Sequence, residues 1–75
     1  MKYTRDDKLL KKLGLRIREL RKKKKMSQVE LGVQCDNYAE QIGRIERGQR
    51  NVTISTLSLI AKALEVRLCE LVDVD

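Results

Sequence analysis

The sequence contains no histidine, proline, tryptophan or phenylalanine, and its only aromatic residues are Tyr3 and Tyr38. Without histidine, the chain lacks the usual acid–base group at neutral pH and the commonest metal ligand. With so few aromatic side chains, a core must be built from leucine, isoleucine, valine and alanine, a composition that favours packed helices. These absences predict an all-α protein that is not an enzyme and that uses no cofactor or metal.

Cysteines and long apolar runs are also scarce. Cys35 and Cys69 are too few and too far apart in sequence to resemble a zinc ligand set or a disulfide framework. We expect buried thiols in a reducing cytosol, with a redox switch as the alternative. The first residues are charged, and no run approaches the roughly 18 apolar residues that span a bilayer. A cytoplasmic protein with no membrane partner is therefore predicted.

The charge of the chain is unevenly distributed. The 75 residues, enough for a single domain over 1–75, carry a formal net charge of +6. Residues 1–25 hold 12 of the 17 lysines and arginines against three acids, whereas the remainder is slightly acidic. A basic segment of this kind is typical of nucleic-acid-binding proteins. A cationic surface that only maintains solubility would give the same balance.

Apolar spacing and capping residues predict five helices. The first begins at an N-cap, Thr4, and runs to about Lys23. The second is a short helix that begins at Ser27, where Glu30 completes a capping box after Met26. The remaining helices are expected from Tyr38 or Ala39 to near Gly48, from the cap Thr53 onward, and around Leu68 to Val72. The predicted inward-facing residues are Leu10, Leu13, Ile17, Leu20, Leu31, Cys35, Ile42, Ile45, Ile54, Leu57, Ile60, Ala61 and Leu64.

The second and third helices, joined by a short turn at Asp36 and Asn37, form a helix-turn-helix over about 27–47. The chain resembles the lambda-repressor and Cro type of helix-turn-helix domain in four stretches: IRELR (17–21), MSQVEL (26–31), IGRIERGQRN (42–51) and TISTLSLIAKALEV (53–66). The resemblance implies a five-helix, lambda-repressor-like DNA-binding domain. In this family the third helix enters the major groove of double-stranded DNA.

The resemblance implies that the outward face of the third helix reads base edges. The residues on this face are Tyr38, Ala39, Glu40, Gly43 and Arg44. Arg44 is suited to contact guanine, because a guanidinium can donate hydrogen bonds to both O6 and N7 of this base. Glu40 accepts a bond from cytosine, or else remains in solvent and pairs with Arg44 at i+4. Gln41 is also predicted to be exposed on this helix.

Two further roles are implied by the resemblance. The residues implied to contact the DNA backbone are Gln28, Arg47, Gln49, Arg50 and Asn51. For Gln28 the alternative is an ordinary first-turn residue, and for the other four a generic polar loop. Arg21 and Glu46 are expected to form a partly buried salt bridge between the first helix and the end of the third, so Glu46 is predicted to be structural.

The sequence departs from the family pattern at several turns. Lys25 and Asp36 stand where glycine is common, so both are expected to adopt a positive φ at a cost of about 1 kcal/mol each. Val52, Glu65 and Arg67 replace a frequent proline, glycine and capping serine. The basic run from Arg21 to Lys25 has no fixed family role; it contacts flanking phosphates or forms a solvated corner.

Family members of this size commonly bind near-palindromic operators as two-fold dimers. A dimerisation segment is expected at about 64–75, with Leu68, Leu71 and Val72 at the interface; alternatively, these residues cap the monomer core. The leading hypothesis is a small dimeric transcriptional regulator, similar to phage-type repressors or restriction–modification controllers, that blocks or recruits RNA polymerase. The competing hypothesis is an antitoxin whose main partner is a toxin.

Overall fold

The structure, a computed structural model, describes residues 5–36 and 39–74, without the side chain of Ala39. The described residues form five α-helices and no strand. They are α1 (Asp7–Lys23), α2 (Gln28–Gln34), α3 (Ala39–Glu46), α4 (Ile54–Ala63) and α5 (Leu68–Leu71). The predicted all-α class and the order of the five helices are confirmed.

The helix starts follow the capping residues with one correction. The N-cap of α1 is Asp6, not Thr4: its carboxylate accepts the amide of Leu9 at 3.0 Å, and its extended backbone starts the helix. Thr4 itself lies outside the described residues. At α2 the predicted capping box is present, because the hydroxyl of Ser27 accepts the amide of Glu30 and the Glu30 carboxylate accepts the amide of Ser27.

The two later helices differ in how they begin. Thr53 caps α4 through its hydroxyl, which accepts the amide of Thr56. Arg67, at the N-cap of α5, offers no side-chain acceptor, but its backbone amide donates to the carboxylate of Glu70 at 3.1 Å. Half of a capping box therefore replaces the missing serine.

Three turns carry non-glycine residues in the left-handed region. Lys25, Asp36 and Glu65 have φ values of 57°, 61° and 58°. The expectation for Lys25 and Asp36 is thus confirmed, and Glu65 follows the same pattern after α4. Each of these residues lies just beyond a helix end, where a positive φ turns the chain back on itself.

The core is formed by one buried face from each helix. All the residues predicted to face inward do so except Ile54, whose side chain is 67% exposed because it lies in the first turn of α4, away from the other helices. Leu71 is fully buried and joins α5 to this core. The expectation of two buried thiols holds for Cys35 but is wrong for Cys69, which is exposed.

Candidate nucleic-acid interface

Helices α2 and α3 are held in place by a buried ion pair. The Arg21 guanidinium, at the end of α1, donates to both carboxylate oxygens of Glu46, at 2.6 and 3.0 Å. Only 9% of the Arg21 side chain and 3% of the Glu46 side chain are exposed. Hydrogen bonding to Glu46 raises the pKa of Arg21 despite burial, so the guanidinium remains charged. The geometry matches the predicted salt bridge.

The ion pair belongs to a larger network that sequence reasoning did not find. Arg21 also donates to the carbonyl of Met26 at 2.8 Å, just before α2. The side-chain amide of Gln28, in the first turn of α2, donates to Glu46 at 3.1 Å. A single arginine and a single glutamate thus connect α1, the start of α2 and the end of α3, which fixes the angle at which α3 is presented.

Gly14 sets the distance between α1 and α3. A Cβ at this position would lie 2.4 Å from the carbonyl oxygen of Glu46 and 2.5 Å from that of Ile45. Only glycine therefore allows α1 to pass so close to the carboxyl end of α3. The sequence offers one signal for this role, which is a glycine on the buried stripe of a helix where alanine would be favoured by about 1 kcal/mol.

The structure exposes part of the predicted base-reading face. Glu40 and Arg44 lie in solvent on α3, and the Arg44 guanidinium donates to the Glu40 carboxylate at 3.0 Å. The pairing that was the alternative for Glu40 is therefore present. Tyr38 and the side chain of Ala39 lie outside the described residues.

Gly43 is not displayed, although its i+3 spacing from Glu40 places it on the same side of α3. It is buried, and a Cβ there would lie 3.2 Å from the guanidinium of Arg47 and 3.4 Å from the amide oxygen of Gln28. The prediction that Gly43 is displayed is therefore wrong, because these two side chains cover it. Gln41, also predicted to be displayed, is half-buried.

The residues predicted to contact the DNA backbone surround this covered glycine and continue into the following loop. Arg47, Gln49, Arg50 and Asn51 are all exposed, and Arg47 donates to the side chain of Gln49 at 3.4 Å. Gly48, between them, has a φ of 75° that ends α3 and starts the loop. The structure thus brings Gln28 and Arg47 together and places the loop side chains in solvent next to them.

The residues predicted at a dimer interface do not share one environment. Leu71 is 0% exposed and packs within its own chain, so its predicted role as an interface residue is not compatible with this burial. Leu68 is partly buried against the core, whereas Val72 is 39% exposed. Leu71 therefore fits the alternative, in which these residues cover the core of the monomer. Val72 is the most exposed of the three.

Two other kinds of site are not present among the residues described. Within 5–36 and 39–74, no group of three or more cysteine, aspartate or glutamate residues could hold a metal ion. None of the helices in the same ranges is long and apolar enough to cross a membrane.

Comparisons with known proteins agree with this geometry. A family model described as helix-turn-helix matches residues 17–71. The control protein C.BamHI of Bacillus amyloliquefaciens is 41% identical over 61 residues, which cover 80% of this chain and 75% of that protein. The structure of the restriction–modification controller protein C.AhdI from Aeromonas hydrophila is 40% identical, with a TM-score of 0.80, and the match covers 83% of this chain and 94% of that one.

One similar structure contains DNA. It is the tetramer of the restriction–modification controller protein C.Esp1396I in complex with its natural 35 base-pair operator. This chain is 34% identical to that protein, with a TM-score of 0.76, and the match covers 89% of this chain and 97% of that one.

Proposed function

Because the chain belongs to the helix-turn-helix family, we propose that it binds a specific operator in double-stranded DNA as a homodimer and regulates transcription in the manner of a restriction–modification controller. The observation that carries the proposal is the presentation of α3. Arg21, Glu46 and Gln28 fix this helix at its carboxyl end, and its Arg44 faces solvent. A rigid exposed helix followed by a basic loop has the shape and the charge to enter a major groove.

The similarity to controller proteins supports the same proposal. It extends over 94% of C.AhdI and 83% of this chain, so nearly the whole of a controller protein is matched. A regulator of this type carries out no chemical reaction and acts in the cytoplasm, through its position on DNA. None of these observations favours the antitoxin hypothesis, so no second function is proposed.

Within this proposal the residues that contact DNA divide into two groups. Arg44 reads a base edge, after exchanging Glu40 for guanine, and Glu40 is the partner that holds its guanidinium when DNA is absent. Gln28, Arg47, Gln49, Arg50 and Asn51 contact phosphates and sugars, together with the amides at the start of α2. Tyr38 and Ala39, which precede Glu40, are proposed as further base contacts.

The experiment that tests the proposal is selection of bound duplexes from a randomised DNA pool at physiological salt, followed by sequencing. We expect enrichment of a near-palindrome with two half-sites about one helical turn apart. A pool that remains random after repeated selection would contradict specific DNA binding.

A further inference from the structure

The amino-terminal half of α1 lies against the loop that follows α3. The side chain of Lys11 packs on Gly48: a Cβ on this glycine would lie 2.7 Å from Lys11 Cγ and 2.9 Å from its Cα. Arg5, just before α1, donates to the carbonyl of Gly48 at 3.4 Å. The helix-turn-helix motif does not include either of these residues, yet both are in contact with the loop that carries Arg47 and Arg50.

The lysines on this part of α1 form no ion pair with the carboxylates that the structure describes. The two nearby carboxylates are already engaged, since Asp6 caps α1 and Asp7 is paired with Arg5 at 2.7 Å. Among residues 5–36 and 39–74, no carboxylate forms an ion pair with Lys8 or Lys11, and both side chains are exposed. Lys8 lies one helical turn before both Lys11 (i, i+3) and Lys12 (i, i+4). Of the latter two, Lys11 is the one that packs on Gly48.

We propose that Lys8 and Lys11 contact the DNA backbone, so that the first two turns of α1 extend the phosphate-binding surface of the α3–α4 loop. This inference rests on the proposed DNA-binding function. The stem of Lys11 packs on Gly48, so this lysine lies beside the loop that carries Arg47 and Arg50. The proposed contact is with phosphate and not with bases, because both lysines lie on α1 and not on the helix that enters the groove.

The chain contains a matched control in the neighbouring residue. Lys12 has the same charge and lies on the same helix, but it lines a shallow hollow with Arg16, Glu19 and Asp73, beside the carboxyl-terminal segment. Replacing Lys11 or Lys12 by glutamine removes one charge in each case and keeps most of the aliphatic stem. Any difference between the variants therefore reports position and not net charge.

The test measures the affinity of the full chain for its selected operator over a range of salt concentrations. A lysine that neutralises one phosphate contributes about 0.9 to the slope of log K against log salt. We expect Lys11→Gln and Lys8→Gln each to reduce that slope by about 0.9, on operator and on scrambled duplex alike, and Lys12→Gln to leave it unchanged. Lys8 is included because its side chain is exposed, so the substitution changes the fold less than one at Lys11, which packs on Gly48.

Two outcomes separate this inference from the function on which it rests. Lys8 and Lys11 variants with the wild-type slope, or a Lys12 variant whose slope is reduced as much as theirs, would overturn the proposed contact and leave the proposed function intact, provided that the wild type binds its operator. A wild-type chain that binds no duplex at low salt would overturn both. Thermal unfolding of each variant without DNA shows whether the fold is preserved.

Discussion

At the scale of single residues, the interface contains two arginine–glutamate pairs with different surroundings. Arg21 and Glu46 are buried and share further hydrogen bonds with Gln28 and Met26. Arg44 and Glu40 form one bond in solvent. A buried charge that loses its partner is costly, whereas an exposed pair contributes little to stability. The first pair therefore maintains the fold, and the second is free to exchange partners.

Removing the carboxylate charge of the buried pair should strongly destabilise the protein. We expect Glu46→Ala to lower the free energy of unfolding by about 3–5 kcal/mol, because the Arg21 guanidinium is left buried without a counter-charge. Glu40→Ala serves as the control and should change stability by less than about 1 kcal/mol. Urea denaturation measures both values. Equal effects of the two substitutions would show that burial does not distinguish the pairs.

Arg44 should contribute to sequence-specific binding, whereas Gln28 should contribute equally to binding of all DNA sequences. Arg44→Ala should weaken binding to the selected operator by about 1–3 kcal/mol and relax the preference at one base pair, since a bidentate contact is lost. Gln28→Ala should weaken binding to all duplexes similarly, as expected for a residue that contacts phosphate. Fluorescence anisotropy with matched and scrambled duplexes measures the difference. An equal loss on both duplexes for Arg44→Ala would exclude base reading by this side chain.

At the scale of the helices, the close contact between α1 and α3 depends on Gly14. Alanine normally stabilises a helix interior by about 1 kcal/mol relative to glycine. Here we expect the opposite sign, with Gly14→Ala destabilising by about 1–3 kcal/mol, because its methyl group meets the carbonyls of Ile45 and Glu46. Chemical denaturation checks the sign. A stabilised Gly14→Ala variant would show that α1 and α3 can separate without cost.

The capping box of α2 should make stability depend on acidic pH. Hydrogen bonds from Ser27 hold the pKa of Glu30 below its ordinary value of 4.5. A carboxyl whose pKa is lower in the folded state adds stability above its unfolded pKa, and this is lost as the pH falls through the folded value. We expect Glu30→Gln to reduce the loss of stability between neutral pH and pH values below 4.5. Superimposable pH profiles of the wild type and the variant would refute this role.

Helix order and capping were predictable from sequence because they depend on local spacing. The apolar stripe of α1, the box at Ser27 and the cap at Thr53 all involve residues within four positions of one another. The burial of Gly43 was not predictable, since it results from the side chains of Gln28 and Arg47, which cover it. The contact between Gly14 and α3 and the hydrogen bond from Gln28 to Glu46 also join distant parts of the chain. Periodicity within one helix carries no information about such contacts.

At the scale of the whole molecule, dimer formation should be visible in the stability of the protein. Folding that is linked to association makes the unfolding midpoint rise with protein concentration. We expect this rise in the wild type and its loss in Val72→Glu, because Val72 is exposed at the end of α5 within the proposed interface. Val29→Glu is the control, since Val29 is 62% exposed on α2, outside the proposed dimerisation segment. Scanning calorimetry at several protein concentrations measures the unfolding midpoint of the three proteins, and the Val29→Glu midpoint should depend on concentration as that of the wild type does. A wild-type midpoint that is independent of concentration would contradict the dimer.

The two cysteines allow the opening of α2 to be measured by thiol labelling. The side chain of Cys69 is exposed, so a thiol reagent reaches it in the native state. Cys35 is 2% exposed at the end of α2, and burial, with the neighbouring Asp36, raises the pKa of its thiol. Its modification therefore requires α2 to detach from the core. In one labelling time course, the fast phase reports the modification of Cys69 and gives the total amount of protein. The slow phase reports the modification of Cys35 and measures the rate at which α2 opens.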